Sequence, residues 1–592
     1  MNSLPTNSHQ RWSYINKLLH RSSKQSTNQN LPTNFCETLA SFFTDKIIRL
    51  RQTIMLQLFN TLIEPFSHDI TPTDQQLFTF RTVRSREVRE LIANTNLKSS
   101  PMDSFPSQLL KSCPNVFPDI ISRLANMSFL SGKFPSAYKT AQITPILKKP
   151  GLDDSLPQNY RPISNLNTIS KLIERLALKQ LGPHIESSQN FNEQQSAYRK
   201  KHSTETALIS TLSDVYSSID SGASSILISL DISAAFDTVQ HDTLLARLSH
   251  TFTVSDLSIE WLRSYLSSRK QFVHLNGHRS QMHTVTCGVP QGSVLGSLLF
   301  TTYISPIANL ITSFNVGHQQ YADDTQLYIS IQPTSIQQSV DKLQKCLRAV
   351  QSWFAHNGLT LNPTKSEAIL LSTRQRLDKL ASLGFTSVAF DGAPIPFNEE
   401  IHTLGVTIDS QLSFNTHVDN LCRAGYYHIR GIRRIRNVIS ESDANALASS
   451  FVQTRLDYCN SLLFNTSEFN LNRMQRLQNC LARVVTQQSR NTSSAVILNR
   501  LHWLPVRKRV QYKIASLTHQ ALETGLPKRL RSIINPLTST LYCIVHSTQY
   551  TVHSTQYTVH STQYTVHSTQ YTPFTVKTLR HVSYTTNPSY TM

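Results

Sequence analysis

The chain has 592 residues, enough for roughly three or four domain-sized units and a substantial core. Its hydrophobic fraction, 39%, is a little low for a compact globule and points to polar tails or linkers. Lysine and arginine outnumber aspartate and glutamate by 57 to 37, a formal charge of +20 that favours a polyanionic partner, nucleic acid before an anionic membrane, while none of the eight cysteines forms a CxxC pair that would support a zinc ribbon or a redox motif.

Residues 1–83 read as a polar connector, rich in Ser, Asn, Gln and Thr, without the apolar core of a signal peptide and with one helical patch, "FCETLASFFTDKIIRLRQTI". Globular texture begins near residue 84. In "LNTISKLIERLALKQL" the residues Ile169, Leu172, Ile173 and Leu176 recur at three- and four-residue spacing, which predicts an amphipathic helix capped by Ser164 or Asn165. "SSILISLD" predicts a buried strand ending at Asp231, and "HDTLLARLSHTF" a helix. The next stretch predicts a helix and then a strand closed by Asn276-Gly277, a strong hairpin signal. From Arg279 to Asp323 no charged residue intervenes, yet Pro290, Pro306 and Gly288, Gly292 and Gly296 interrupt the run, so a buried sheet-and-helix core is expected rather than a membrane span. Residues 336–358 predict a long helix ended by Gly358. Short strands follow at "SEAILLS" and "HTLGVTID", and residues 411–535 read as helical and basic. In the low-complexity tail, 536–592, VHSTQYT occurs four times in tandem from Val545 to Thr572 without an apolar heptad pattern. Isolated thiols fit a reducing compartment, here cytoplasmic or nuclear.

One stretch, "HQQYADDTQLYIS", poses a chemical problem. Its halves can pair as a hairpin, with Asp323 and Asp324 at the tight end. Asp231 closes another apolar strand. If the two elements neighbour each other in one sheet, three carboxylates meet in a small volume, and a divalent cation such as Mg²⁺ relieves the repulsion. Taken singly, a DD dipeptide is more often a solvated turn and a strand-terminal Asp more often a helix cap.

The surrounding blocks decide between these readings. "NYRPISNLNTISKLIERL", "SLDISAAFDTVQHDTLL", "GVPQGSVLGSLLF", "QYADDTQLYIS", "GLTLNPTKSEAILL" and "HTLGVTID" follow in order. Together they resemble the reverse transcriptase of LINE-type (non-LTR) retrotransposons, in the jockey-like animal branch. The resemblance implies an α+β right-hand polymerase. Fingers and the N-terminal part would occupy 84–230 and a palm with an antiparallel sheet 231–410, the reverse transcriptase domain running over about 128–409; a helical thumb would follow at 411–535, with disordered tails at both ends. It further implies RNA-directed DNA synthesis on an RNA template from a DNA primer or target with dNTPs, and two Mg²⁺ ions (Mn²⁺ as a substitute) held by Asp231, Asp323 and Asp324. Phe236 matches the aromatic gate against a ribose 2′-OH, and Gln291 and Gly292 match the loop under the incoming nucleotide. Arg161, and less closely Lys148, match cations on the triphosphate. Lys365 matches the lysine that protonates leaving pyrophosphate, and Leu404 and Gly405 match the primer grip.

The chain departs from the family pattern in three places. Residues 1–80 resemble only the connector after the endonuclease usual in this branch, Ser297 replaces a common Pro, and the tail loses resemblance after "LYCIV"; a copy lacking that endonuclease, truncated at its 5′ end and altered at its 3′ end, is expected. A non-catalytic nucleic-acid-binding remnant and an RNA-dependent RNA polymerase are the alternatives, the second disfavoured by Phe236 and the YADD context.

Overall fold

The computed structural model describes residues 31–32, 34–60, 71, 75–362, 365–390, 393–536 and 574–576. The VHSTQYT repeats lie outside them. The labelled strands are β1 (Thr140–Leu147), β2 (Tyr160–Asn165), β3 (Ser224–Leu230), β4 (Arg269–Leu275), β5 (Gly317–Tyr321), β6 (Asp324–Ile331), β7 (Glu367–Leu371), β8 (Ser387–Phe390), β9 (Ala393–Asn398), β10 (Glu400–Thr403) and β11 (Val406–Asp409).

The larger sheet has the order β8-β9-β7-β3-β6-β5. β3 is antiparallel to both β7 and β6, and β5 and β6 form a hairpin. The apolar run Ile226–Ile228 of "SSILISL" follows from burial on both faces. Ile226, Ile228 and Leu230 point into one core, and Leu227 points into another together with Ile369 and Leu371. The first core also takes the helix α2 (Thr168–Ser187) through Leu172, Ile173 and Leu176, and the second takes the helical region that follows β11.

A second sheet runs β2-β1-β4, with β1 antiparallel to β2 and parallel to β4. Helix α1 (Phe35–Asn60) covers it, burying Phe35, Leu39 and Phe43 against Ile143, Tyr160 and Val273. The Cys36 thiol meets the carbonyl of His278 at 3.4 Å, and Glu37 accepts from the backbone of Gln281 at 2.9 Å. The sequence pattern therefore identified this helix, while its docking onto the sheet was not foreseen.

Most expected elements form. The hairpin turn at Asn276-Gly277 has φ of +52° and +82°, both in the left-handed region that its Asn-Gly pair favours. The long helix α3 (Ile336–His356) is followed by Gly358 at φ +65°. The expected cap of α2 is corrected: Ser164 and Asn165 belong to β2, and Asn167 accepts from the N–H of Ile169 at 2.8 Å. After β11 come α4 (Asn415–Ile435), α5 (Glu468–Thr486) and further helices to Ile533. Seven described cysteines are free thiols, and among the described residues no helix is long and apolar enough to cross a membrane.

Candidate active site

β5 and β6 are joined by Ala322 and Asp323 alone, with Tyr321 opposite Asp324. So short a connection demands unusual backbone angles, and Ala322 sits at φ +56°. For an alanine that conformation costs about 1 kcal/mol. It is held by a side chain the sequence reading missed. Gln195, 1% exposed, accepts from the N–H of Ala322 at 2.9 Å and donates to its carbonyl at 3.2 Å. Two such bonds contribute about 1 kcal/mol each, enough to offset the strained angle.

β3 lies directly beside β6, pairing Leu230 with Thr325, so Asp231 emerges at the same end of the sheet as Asp323 and Asp324. The charges feel one another. Desolvation pushes Asp324 up to about 6, with the charges of Asp323 and Asp231 adding to it. Desolvation and then Asp231 raise Asp323, while Arg161 pulls it down. Among the described residues no three His, Cys, Asp or Glu side chains are drawn close enough to hold a metal ion as they stand. The donor set nevertheless suits a hard divalent cation, being all oxygen, with Asp323 and Asp324 raised by desolvation first and by neighbouring negative charge second.

Cations ring this end. Lys365 stands 3.6 Å from Asp231, positioned by Asn362, whose N–H donates to the Asp231 carbonyl at 2.9 Å. Arg161 lies in β2 opposite Ile146, and Lys148 follows β1, its N–H donating to Asn159. Desolvation and then the positive charges of Lys46, Lys365 and Arg161 lower the Lys148 ammonium, which puts Lys46 of α1 in the same field.

The loop 288–292 closes the site. The Val289 N–H donates to the Phe236 carbonyl and the Ser164 N–H to the Gln291 carbonyl, at 2.9 and 2.8 Å. Gly292 has φ +121°, and a Cβ there would lie 2.5 Å from the Ser164 carbonyl oxygen, so only glycine fits. The Gln291 amide donates to both carboxylate oxygens of Asp237, at 3.1 and 3.2 Å. It is thus turned toward Asp237. Desolvation pushes Asp237 up to about 6 against the pull of Lys46 and Gln291. Phe236 is half-buried and stacks on Phe300 with centroids 4.5 Å apart at 19°.

Leu404 and Gly405 form the turn between β10 and β11, at φ +46° and +78°. The Tyr458 hydroxyl donates to the Leu404 carbonyl at 2.7 Å and lies 3.2 Å from Thr204 Oγ1.

Residues 146–408 match the model of the reverse transcriptase (RNA-dependent DNA polymerase) family. The matched stretch holds Asp231, Asp323 and Asp324 and is similar to the RNA-directed DNA polymerases of mobile elements. The chain is 27% identical over 428 residues to the probable RNA-directed DNA polymerase from transposon BS of Drosophila melanogaster, covering 70% of this chain and 46% of that protein. It is also 27% identical to the RNA-directed DNA polymerase from mobile element jockey of the same species, over 58% of this chain and 37% of that protein. Its identity to the jockey polymerase of Drosophila funebris is 26%, over 68% of this chain and 44% of that protein. The chain thus spans less than half the length of each of these relatives.

Proposed function

We propose that the chain is an RNA-directed DNA polymerase that extends a DNA primer on an RNA template with dNTPs. The observation that carries the reading is the convergence of Asp231, Asp323 and Asp324 on one sheet end, with Arg161, Lys148 and Lys365 around them.

In this reading the larger sheet is the palm, β1 and β2 with their flanking helices are the fingers, and the helices of 411–535 are the thumb. Asp231, Asp323 and Asp324 would hold the divalent ions, two Mg²⁺ with Mn²⁺ as a substitute. Bound there, such ions supply charge that acidifies the primer 3′-hydroxyl and stabilises the leaving oxygen. Arg161 and Lys148 bind the triphosphate and orient it for in-line attack. The primer 3′-oxygen gives up its proton to water and bonds to the α-phosphorus as the bridging P–O bond to the β-phosphate breaks. Lys365 gives its proton to the departing pyrophosphate. Phe236 fills the space a ribose 2′-OH would need, and Gly292 lets the loop backbone approach the base pair. Leu404 and Gly405 lie against the primer strand, and the basic thumb helices hold the duplex through phosphates without reading sequence.

The test is primer extension on a primed RNA. Divalent-metal-dependent cDNA synthesis is expected, and Asp323→Asn should abolish it. Robust synthesis by Asp323→Asn would overturn the site. A preference for rNTPs would make the chain an RNA polymerase, and binding of primer–template without any extension would make it a binding remnant.

A further inference from the structure

We infer that Gln195 is the positioning residue that sets the Ala322–Asp323 turn in the shape by which Asp323 and Asp324 accept a divalent cation; the inference rests on the polymerase reading above. The geometry is specific. Both ends of one carboxamide engage the single residue Ala322, and the Gln195 carbonyl oxygen takes the Ala197 N–H as well, at 3.0 Å. The amide is thereby locked in one orientation, fixed from its own side of the contact.

Gln195 also belongs to a strap that runs beside β5. The Ser196 N–H donates to the Gln320 carbonyl at 2.9 Å, and the Gln320 N–H donates to the Gln194 carbonyl at 3.1 Å. Asn192 donates to the Gln320 side chain at 2.6 Å, and Gln319 donates to Ser196 Oγ at 2.9 Å. Gln319 and Gln320 are buried, so the polar run before "YADD" is a set of paired amides rather than a solvated strand. The strap fixes β5, and Gln195 extends that hold around the turn to the residue just before Asp323.

A neutral amide is the group this task requires. It supplies a donor and an acceptor at once and adds no charge beside three carboxylates that already repel. Gln195→Glu would keep the acceptor, lose the donor to the Ala322 carbonyl and bring a further negative charge to the turn. Gln195→Met would keep the length and remove both hydrogen bonds.

The experiment uses the full chain with Mn²⁺ as the probe, followed by electron paramagnetic resonance, with thermal melting and primer–template gel shifts in parallel. Gln195→Met is expected to weaken Mn²⁺ binding about tenfold. The metal concentration for half-maximal extension should rise in step, while primer–template affinity stays unchanged. Unchanged Mn²⁺ affinity in folded Gln195→Met and Gln195→Glu would overturn the inference and leave Gln195 a strut. Failure of both variants to fold, or wild-type protein that binds no Mn²⁺, would overturn it too. A wild-type chain that binds Mn²⁺ but extends nothing would refute the polymerase reading alone, and the Mn²⁺ comparison would still decide the role of Gln195.

Discussion

Lys365 reaches to 3.6 Å from Asp231, and the backbone of the same segment, through Asn362, donates to the Asp231 carbonyl. The lysine and the carboxylate are thus held by one short piece of chain. Lys365→Met should lower the rate of single-turnover extension about 100-fold, the scale of a lost general acid, with little change in dNTP affinity. A loss confined to dNTP affinity would make Lys365 a phosphate ligand instead.

The carboxylate turn should leave a mark on stability. Asp324 has its folded value pushed up to about 6, above its ordinary value. A carboxyl raised by folding binds its proton more tightly in the native state, so its contribution is fully present at low pH and is lost as pH rises from about 4 to about 6. Glu87, held down to about 2 by its hydrogen bonds with Arg81, works in the opposite direction and lower in pH. The difference between wild type and Asp324→Asn isolates the turn. Without metal, Asp324→Asn should melt higher than wild type at pH 7 and show a smaller advantage at pH 4.5. An advantage that does not grow with pH would contradict the desolvation and repulsion that raise Asp324.

Phe236 stacks on Phe300 and is half-buried, so it serves packing and gating together. Phe236→Val should cost about 1 kcal/mol of stability through the lost ring pair. It should also raise ribonucleotide incorporation relative to dNTPs by about 10- to 100-fold. The ratio of extension rates with matched dNTP and rNTP measures it; an unchanged ratio would leave Phe236 a packing residue only.

Tyr458 ties the turn at Leu404-Gly405 to the helices that follow. Tyr458→Phe removes the hydroxyl's hydrogen bonds to Leu404 and Thr204, about 1 kcal/mol each, and should weaken primer–template binding about fivefold while leaving Mn²⁺ binding intact. Gel shifts and product-length distributions report it. Shorter products at unchanged single-nucleotide rate are expected.

The site was legible where its signals are local and periodic. Asp231 ends an apolar strand, and the Asp323-Asp324 pair sits at the tight end of strand halves that pair as a hairpin. What escaped is carried by contacts between distant segments. Gln195 is a neutral amide in a loop with no period, and only the fold brings it to Ala322. Lys46 lay in what read as a polar connector, because the apolar face that docks α1 onto β1 and β2 is short. The inward turn of Gln291 toward Asp237 depends on the backbone of a glycine-rich loop, which residue type alone does not orient. The cap of α2 was misplaced by two residues because Ser164 and Asn165 offer the same capping chemistry as Asn167 but are held in a strand.

The position of β3 within its sheet has a consequence for synthesis of the chain. Both of its neighbours, β6 and β7, lie downstream, so Ser224–Leu230 leaves the ribosome with neither edge paired. An apolar strand with two open edges is a template for pairing with other chains. Any nascent or shortened product ending between β3 and β6 carries that hazard on both edges of the strand that leads to Asp231, and one ending between β6 and β7 still carries it on one edge.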